Sequence, residues 1–185
     1  EMVDGKSCRI ETDTGPQVVR AEHVVLATGS VPATLPTLPF GGKVISSTEA
    51  LSLAAIPERL AVVGAGYIGL ELGIAFAKLG AKVTVIEAED RILPVYDAEL
   101  VRPVARRLKA LGVEVLTSTR AAGLSGDSLL VEGAASRSIA ADRILVATGR
   151  RARLTGLGLE RLDLTMNGAF VQIDERCATS MRNVW

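Results

Sequence analysis

The sequence predicts an α/β fold: a parallel sheet with helices on both faces, plus a small antiparallel β-meander. Three observations predict it. Short apolar runs and stretches of helical length follow one another in the order β-α-β-α-β between residues 60 and 117. Aromatic residues make up only 3% of the chain while 48% is hydrophobic, so the core must be aliphatic, as in a packed parallel sheet. Finally, RAEHVVLATGS at 20–30 is echoed by AADRILVATGR at 140–150, a spacing of 120 residues. Each copy is an apolar run ending in Ala-Thr-Gly, which reads as a buried strand whose glycine lets the chain turn. That period is far too long for a solenoid and points to duplicated domains.

The elements follow in order. Residues 7–11 and 17–20 precede the first echo, and 128–132 and 137–139 precede the second; both pairs read as short strands joined by Gly-containing turns. Four of the seven prolines fall in 31–59, which marks that stretch as a connection between domains. A strand follows at 60–63, a turn at 64–69 and a helix at 67–79, closed by Gly80 just past its C-terminus, with the next strand at 82–87. Asp97 is placed to N-cap a helix to about Leu111, stopped by Gly112. Pro103 inside it removes a hydrogen bond and should kink the helix or shorten its first turns. A strand at 113–117, the meander and a last strand at 143–148 complete a Rossmann-like nucleotide-binding domain.

Composition narrows the function. For 185 residues a folded surface of about 8,500 Å² is expected against about 28,000 Å² unfolded, enough burial for a real core. Lys and Arg equal Asp and Glu at 21 each, which removes any global electrostatic case for nucleic acid or an anionic membrane as partner. Cys8 and Cys177 lie 169 positions apart, so they form neither a disulfide framework nor a metal cluster, and reduced thiols fit a cytoplasmic setting. The single histidine, His23, leaves little scope for imidazole chemistry and reads as structural. No basic segment followed by an apolar run opens the chain, so no leader is visible. Residues 60–79 are nearly long enough to cross a bilayer, and Gly69 and Gly73 match a membrane helix-pairing spacing. Gly64 and Gly66 interrupt that run, however, and Glu71 would sit in hydrocarbon at a cost of about 2.5–3.5 kcal/mol or more. Strand, turn and helix explain the same letters without that cost.

Gly64-Ala65-Gly66-Tyr67-Ile68-Gly69 fits G-x-G-x-x-G directly after a β-branched run and at the start of a helix. Gly64 permits the tight turn, Gly66 lets backbone amides approach a pyrophosphate, and Gly69 lets the helix press on the strand. Unpaired amides and partial positive charge at the helix N-terminus then hold the phosphates. Glu87 ends the second strand, 18 residues past Gly69, where a carboxylate can accept both hydroxyls of the adenosine ribose. A 2′-phosphate would meet Glu87, Glu89 and Asp90, so NAD is favoured over NADP; Arg91 and Arg106-Arg107 weigh the other way, although Arg91 suits a surface pairing with Glu89 or Asp90. Glu71, in the helix's first turns, reads either as an electrostatic partner of the N-terminus or as a site residue.

GAGYIGLELG (64–73), VIEAEDRIL (85–93), the two Ala-Thr-Gly runs and ERCATSMRNVW (175–185) together resemble the dihydrolipoamide dehydrogenases of the pyridine nucleotide-disulfide oxidoreductase family. The resemblance covers the whole chain. ISSTEAL (45–51), ILPVYDAEL (92–100) and LDLTMNGAF (162–170) are most similar to members serving branched-chain 2-oxo acid dehydrogenase complexes. It implies a homodimeric three-part flavoenzyme, with an FAD domain, an inserted NAD domain and an interface domain. Such an enzyme oxidises dihydrolipoyl groups on the lipoyl domains of its complex, through a disulfide and FAD, to NAD+. Residues 1–30 would be the C-terminal stub of the FAD domain, 31–174 the NAD-binding domain, and 175–185 the return segment toward the FAD domain.

Site residues follow from the same resemblance. Gly64, Ala65, Gly66, Tyr67, Ile68, Gly69 and Glu71 would follow the dinucleotide, with Glu71 near nicotinamide and flavin, and Glu87 on the adenosine ribose. Ala121 falls where the family has valine against the adenine. Gly149 and Arg150 would pass the nicotinamide half, and Thr28, Gly29 and Ser30 would touch FAD. Departures also matter. Neither cysteine can supply the family's C-x4-C redox disulfide, and the FAD domain's glycine turn and the interface domain's His-Glu pair are absent from the sequence. The chain alone is therefore expected to bind NAD(H), to hold no metal and to carry no catalytic residue. Alternatives are an NAD(P)H-binding domain of a related disulfide reductase or NADH oxidase, and a non-enzymatic structural module.

Overall fold

The computed structural model describes residues 1–134 and 136–185, and it divides into two units: Glu1–Val31 with Arg151–Trp185, and Pro32–Arg150. The first unit opens with an antiparallel sheet of β1 (Met2–Asp4), β2 (Ser7–Thr12) and β3 (Gly15–Arg20), in that order. Gly15 turns the β2–β3 hairpin at φ +106, a backbone setting that costs glycine nothing. The chain leaves this unit through β4 (Ser30–Pro32).

The first Ala-Thr-Gly run, expected as a buried strand, is not one. Only Val24 forms a bridge, parallel to Val184, and Val25 is 72% exposed. The pairing is one-sided: the Val24 N–H donates to Asn183 O at 2.9 Å and the Leu26 N–H to Trp185 O at 2.7 Å. A strand with a neighbour on one side only, and no layer over Val25, has too few partners to be a core strand. His23, expected as structural, is exposed in a bend beside it.

In the larger unit, residues 32–59 are built into the fold rather than serving as a plain connection. They supply β5 (Val44–Ile45) and the short helix α1 (Ser47–Ala50), with Leu38, Val44, Ile45 and Ala50 buried. Ser46 starts α1 with a capping box: its Oγ accepts from the Thr48 N–H at 3.1 Å, while Glu49 Oε2 accepts from the Ser46 N–H at 2.8 Å. Next come β6 (Arg59–Val63), α2 (Tyr67–Lys78), β7 (Lys82–Ile86), α3 (Ala98–Ala110) and β8 (Glu114–Leu116). The meander of β9 (Thr119–Ser125), β10 (Ser128–Gly133) and β11 (Arg137–Ala140) precedes β12 (Arg143–Val146).

Five strands form an all-parallel sheet in the order β5-β12-β6-β7-β8. Side chains alternate between its faces, and the two sets belong to two buried clusters. Leu60, Val62, Val83, Val85 and Leu145 pack with Ala50 of α1, Leu70 and Phe76 of α2, and Val101 and Leu108 of α3. Ala61, Val63, Ile86, Ile144 and Val146 pack with Leu129, Val131 and Ile139 of the meander. The parallel sheet, the meander and the aliphatic core match expectation, and Phe76 is the one aromatic among the buried hydrophobics of the described residues. The placement of helices does not. All three cover one face, because the meander already buries the other.

Both long helices end in Schellman motifs. Gly80 at φ +100 lets the Ala81 N–H reach Phe76 O at 3.0 Å, and Gly112 at φ +70 lets the Val113 N–H reach Leu108 O at 3.0 Å. Asp97 occupies the N-cap position of α3, but its side chain accepts no capping hydrogen bond. The helix also runs unbroken through Pro103, which lies exposed, as does Glu99, whose carbonyl loses its donor to proline and can be satisfied by solvent.

The glycine turn between β6 and α2 is shaped by close backbone approach. Gly64 sits at φ +104, and a Cβ there would lie 2.6 Å from Ala147 O of the segment after β12. A Cβ on Gly69 would overlap the Gly64 carbonyl oxygen and crowd Val62 Cγ1 at 3.1 Å, so α2 lies directly against β6. A Cβ on Gly66 would meet nothing within 4 Å.

The chain returns to the first unit through β13 (Arg150–Ala152), followed by a 3₁₀ turn at Leu159–Arg161 and a hairpin of β14 (Met166–Asn167) and β15 (Phe170–Val171). Residues 151–174, expected with the larger domain, pack with 1–31 around Met2, Leu159 and Leu162. The accessible surface, 11422 Å², exceeds the expected value; Val18, Val19 and Val25 of the first unit stay in solvent.

Two stability predictions follow from these contacts. Gly69→Ala should lower the urea midpoint, by an overpacking cost of about 1–3 kcal/mol, whereas Gly66→Ala should stay within about 0.5 kcal/mol of the parent. Equal midpoints for the two variants would contradict the packing described. The second concerns Glu114 on the edge strand, which pairs with Arg137 of the meander at 2.6 Å and accepts from Thr84 Oγ1 at 3.2 Å. The Arg137 guanidinium holds the Glu114 carboxyl below its usual range. A carboxyl with a lower pKa folded than unfolded contributes its stability above the unfolded pKa and loses it as pH falls through the folded one. Glu114→Gln should therefore show a smaller loss of stability than the parent between neutral pH and about pH 3 in urea titrations; the partial exposure of the pair keeps the difference small.

Candidate functional site

The carboxyl ends of β12, β6 and β7 open onto one cavity of about 710 Å³ in the larger unit. This edge of a parallel sheet is where strand ends and helix N-termini converge, and where doubly wound folds take their ligands. Its floor is the glycine turn with Gly64, Gly66, Tyr67 and Ile68. One wall continues from β12 through Ala147, Thr148, Gly149 and Arg150. The opposite wall holds Glu87, Ala88 and Glu89 after β7, then Thr119, Arg120 and Ala121 at the start of β9. A lip of Leu93, Pro94, Val95 and Tyr96 completes it, with Leu35 from the start of the unit.

Backbone hydrogen bonds lock these walls together. The Gly64 N–H donates to Ile86 O at 2.8 Å and the Ala147 N–H to Val63 O at 2.8 Å, extending the sheet to the cavity edge. The Ser118 N–H donates to Glu89 O at 2.7 Å and the Thr119 N–H to Glu87 O at 2.9 Å, which fixes the start of the meander beside the end of β7. The Leu93 N–H donates to Ala65 O at 3.0 Å, so the lip hangs from the glycine turn itself. Leu93 has φ +48, unusual for a side chain of its size.

Glu87 is the centre of this arrangement. Its Oε2 accepts from the Ala65 N–H at 2.6 Å and its Oε1 from the Glu89 N–H at 2.9 Å. The carboxylate is thereby aimed at the turn across 22 residues of sequence. Each oxygen keeps a further lone pair for a hydroxyl donor.

Of the residues singled out in the sequence, Gly64, Gly66, Tyr67, Ile68, Glu87, Ala121, Gly149 and Arg150 line the cavity together. Ala65 and Gly69 support it from below: Ala65 is fully buried, and Gly69 faces the strand. Glu71 is exposed on α2 and does not reach the cavity, because it lies past the first turn, outside the turn's concave side. Thr28, Gly29 and Ser30 belong to the other unit. Arg91 does not pair with Glu89 or Asp90; its Nη2 donates to Pro94 O at 2.5 Å, bracing the lip. Arg106 and Arg107 are exposed on α3 and Asp90 does not line the cavity, so neither argument from those residues bears on it.

Several lining residues were not anticipated. Thr119, Arg120 and the lip at 93–96 reach the site through non-local backbone hydrogen bonds, which leave no period in the sequence. Thr148 carried a readable signal, since it belongs to the second Ala-Thr-Gly run. Among the described residues no helix is long and apolar enough to cross a membrane.

Known proteins resemble the whole chain. A dihydrolipoyl dehydrogenase of Pseudomonas aeruginosa is 53% identical over 187 residues, covering 100% of this chain and 40% of that protein. One from Geobacillus stearothermophilus is 36% identical over 190 residues, again covering 100% of this chain and 40% of its length. This chain thus spans about 40% of these curated relatives. Among solved structures, the HOCl-induced flavoprotein disulfide reductase of Escherichia coli superposes with a TM-score of 0.86 at 27% identity, covering 100% of this chain and 43% of that one. An NAD-dependent persulfide reductase from A. fulgidus gives 0.80 at 28% identity, covering 98% and 35%. The pyridine nucleotide-disulphide oxidoreductase family matches residues 2–185, and with the parallel sheet, the glycine turn and the acid at the end of β7 in place, the chain belongs to that family.

Proposed function

We propose that the larger unit, 32–150, is a pyridine-dinucleotide-binding domain that takes NAD(H). The observation that carries this reading is the Glu87 carboxylate, held beside the glycine turn on the wall of one continuous cavity. Backbone amides at the start of α2, with the partial positive charge of a 12-residue helix behind them, suit a pyrophosphate. Gly66 fits this role, since the space its side chain would fill is open. Glu87 then accepts hydrogen bonds from the adenosine ribose, and Glu89 beside it disfavours a 2′-phosphate. Ala121 offers a small apolar contact to the adenine. Gly149 and Arg150, on the far wall, border the nicotinamide half, whose ring accepts hydride when NAD+ is bound.

The activity proposed for the whole protein is oxidation of dihydrolipoyl groups with NAD+ as acceptor, by way of a redox disulfide and FAD. The 53% identity to a dihydrolipoyl dehydrogenase over the full chain supports it over a more distant disulfide or persulfide reductase. Lipoyl domains of a 2-oxo acid dehydrogenase complex and a second copy of the protein are its proposed partners, and the cytoplasm its proposed location. Thr28, Gly29 and Ser30 are proposed to touch FAD. The two cysteines cannot form a C-x4-C pair, so the 185-residue chain should bind NAD(H) without turning it over.

Calorimetric titration tests the binding site. The chain should take up NADH in preference to NADPH, and Gly66→Val, which fills the space kept for the pyrophosphate, should abolish binding. Glu87→Ala should weaken NADH by about 1.5–3 kcal/mol, the worth of hydrogen bonds to a charged acceptor. Unchanged NADH affinity in both variants would place the dinucleotide elsewhere on this chain, and no uptake by the parent would remove the assignment. Separately, lipoamide-dependent NADH formation by the 185-residue chain would contradict the assignment of the redox chemistry to other parts of the protein.

A further inference from the structure

The cavity has an order that follows from the sheet. Along its edge lie the end of β12 with Gly149, the glycine turn after β6, Glu87 after β7, and then residues 119–121, tied to Glu87 and Glu89 by the Thr119 and Ser118 amides. A dinucleotide whose pyrophosphate sits on the glycine turn and whose adenosine ribose sits on Glu87 must place its adenine beyond Glu87. The group waiting there is Arg120.

Three features of Arg120 bear on what it does. It lines the cavity, yet its side chain makes no hydrogen bond or ion pair among the described residues, not even with the carboxylate of Glu132, its register partner on β10. The strand that carries it is bulged: Leu130 opposes Gly123 and Val131 opposes Ala121, so Ala122 is extra. Residues 119–121 before the bulge keep regular register with 131–133, so Ala121 packs against the core while Arg120 stays exposed, and both border the cavity. Finally, Ala121 is small, so the wall next to it leaves room over a flat ring.

We propose that the Arg120 guanidinium stacks on the adenine of the bound dinucleotide, supplying the face that Ala121 is too small to cover. The proposal rests on the NAD(H) reading of the cavity. A planar guanidinium on an aromatic face gains both dispersion and cation–π attraction, which a lysine ammonium does not reproduce in the same geometry. Carboxylates at 87 and 89 keep the guanidinium's surroundings negative and its charge uncompensated by any direct contact, so it remains available to the ring.

The test uses the 185-residue chain with NADH, NADPH and reduced nicotinamide mononucleotide, which lacks the adenosine. Arg120 is exposed, so its variants should fold, and circular dichroism checks that they do. Arg120→Ala should weaken NADH about two- to five-fold, the range for an exposed cation–π contact, and leave the mononucleotide unchanged. Arg120→Lys should remain weaker than the parent. Lysine restoring full affinity, or a loss confined to NADPH, would assign the guanidinium to a phosphate and overturn the stack. NADH binding that Arg120→Ala leaves intact would overturn the stack while sparing the cavity's assignment. Failure of the parent chain to bind NADH would remove both.

Discussion

Helix α2 lies so close to the turn from which it springs that residue 69 has no room for a side chain. Much else is positioned by that approach. With Gly69 against Val62 and the Gly64 carbonyl, the helix N-terminus is held at the carboxyl edge of the sheet, where Gly66, Tyr67 and Ile68 line the cavity. Twelve helical residues advance the chain by about 18 Å, and five strand residues by about 17 Å, so the helix returns the chain to the level where β6 began. The Schellman turn at Gly80 then feeds β7 into register, with Arg59 opposite Lys82 and Val63 opposite Ile86. Glu87 follows directly and so arrives beside Ala65. A looser helix would separate the acid from the amides.

Glu87 converts this geometry into a charge arrangement. Two backbone amides grip its carboxylate, so its position is set by the fold and does not depend on a ligand. Hydrogen bonds to an ionised acceptor are about twice as strong as neutral ones, and a carboxylate anchored in this way pays little further ordering entropy when a hydroxyl joins it. The same segment organises its surroundings: the carbonyls of Glu87 and Glu89 accept from Thr119 and Ser118, which brings the meander to the cavity wall. The meander therefore does two jobs, burying one face of the sheet through Leu129, Val131 and Ile139 and completing the site with its first residues.

How much of this the sequence revealed depends on whether the cause is local. The glycine turn and the caps at Gly80 and Gly112 are set by backbone conformations that only a few residue types tolerate, so they leave letters behind. The parallel strands were legible as β-branched runs for a similar reason. The side on which α3 packs was not, since an apolar stripe says that a helix is buried and not against which face. The two Ala-Thr-Gly runs show the same limit more sharply. They are nearly identical in pattern, yet 143–146 lies between two strands under two layers while Val24 has one neighbour, so tertiary context and not propensity decides. Asp97 is another case: a good capping residue at the capping position whose side chain makes no cap. Arg120 was missed because it reaches the cavity through the long-range bonds of Ser118 and Thr119 to Glu89 and Glu87, which no residue type announces.

The same wall bears on the proposed preference for NAD(H). Around the proposed ribose position stand two carboxylates, Glu87 and Glu89, and one guanidinium, Arg120. At high dielectric a unit charge pair about 4 Å apart exchanges only about 1 kcal/mol, so the sum of nearby charges matters less than which of them can move away. Glu87 cannot, because releasing it would break its hydrogen bonds to Ala65 and Glu89. Arg120 is on a long free stem and could swing toward a phosphate, but doing so would leave the anchored carboxylate facing that phosphate. On the proposed reading, selectivity would therefore be set by the anchored Glu87 charge, leaving Arg120 to the adenine, the part of the dinucleotide that carries no charge.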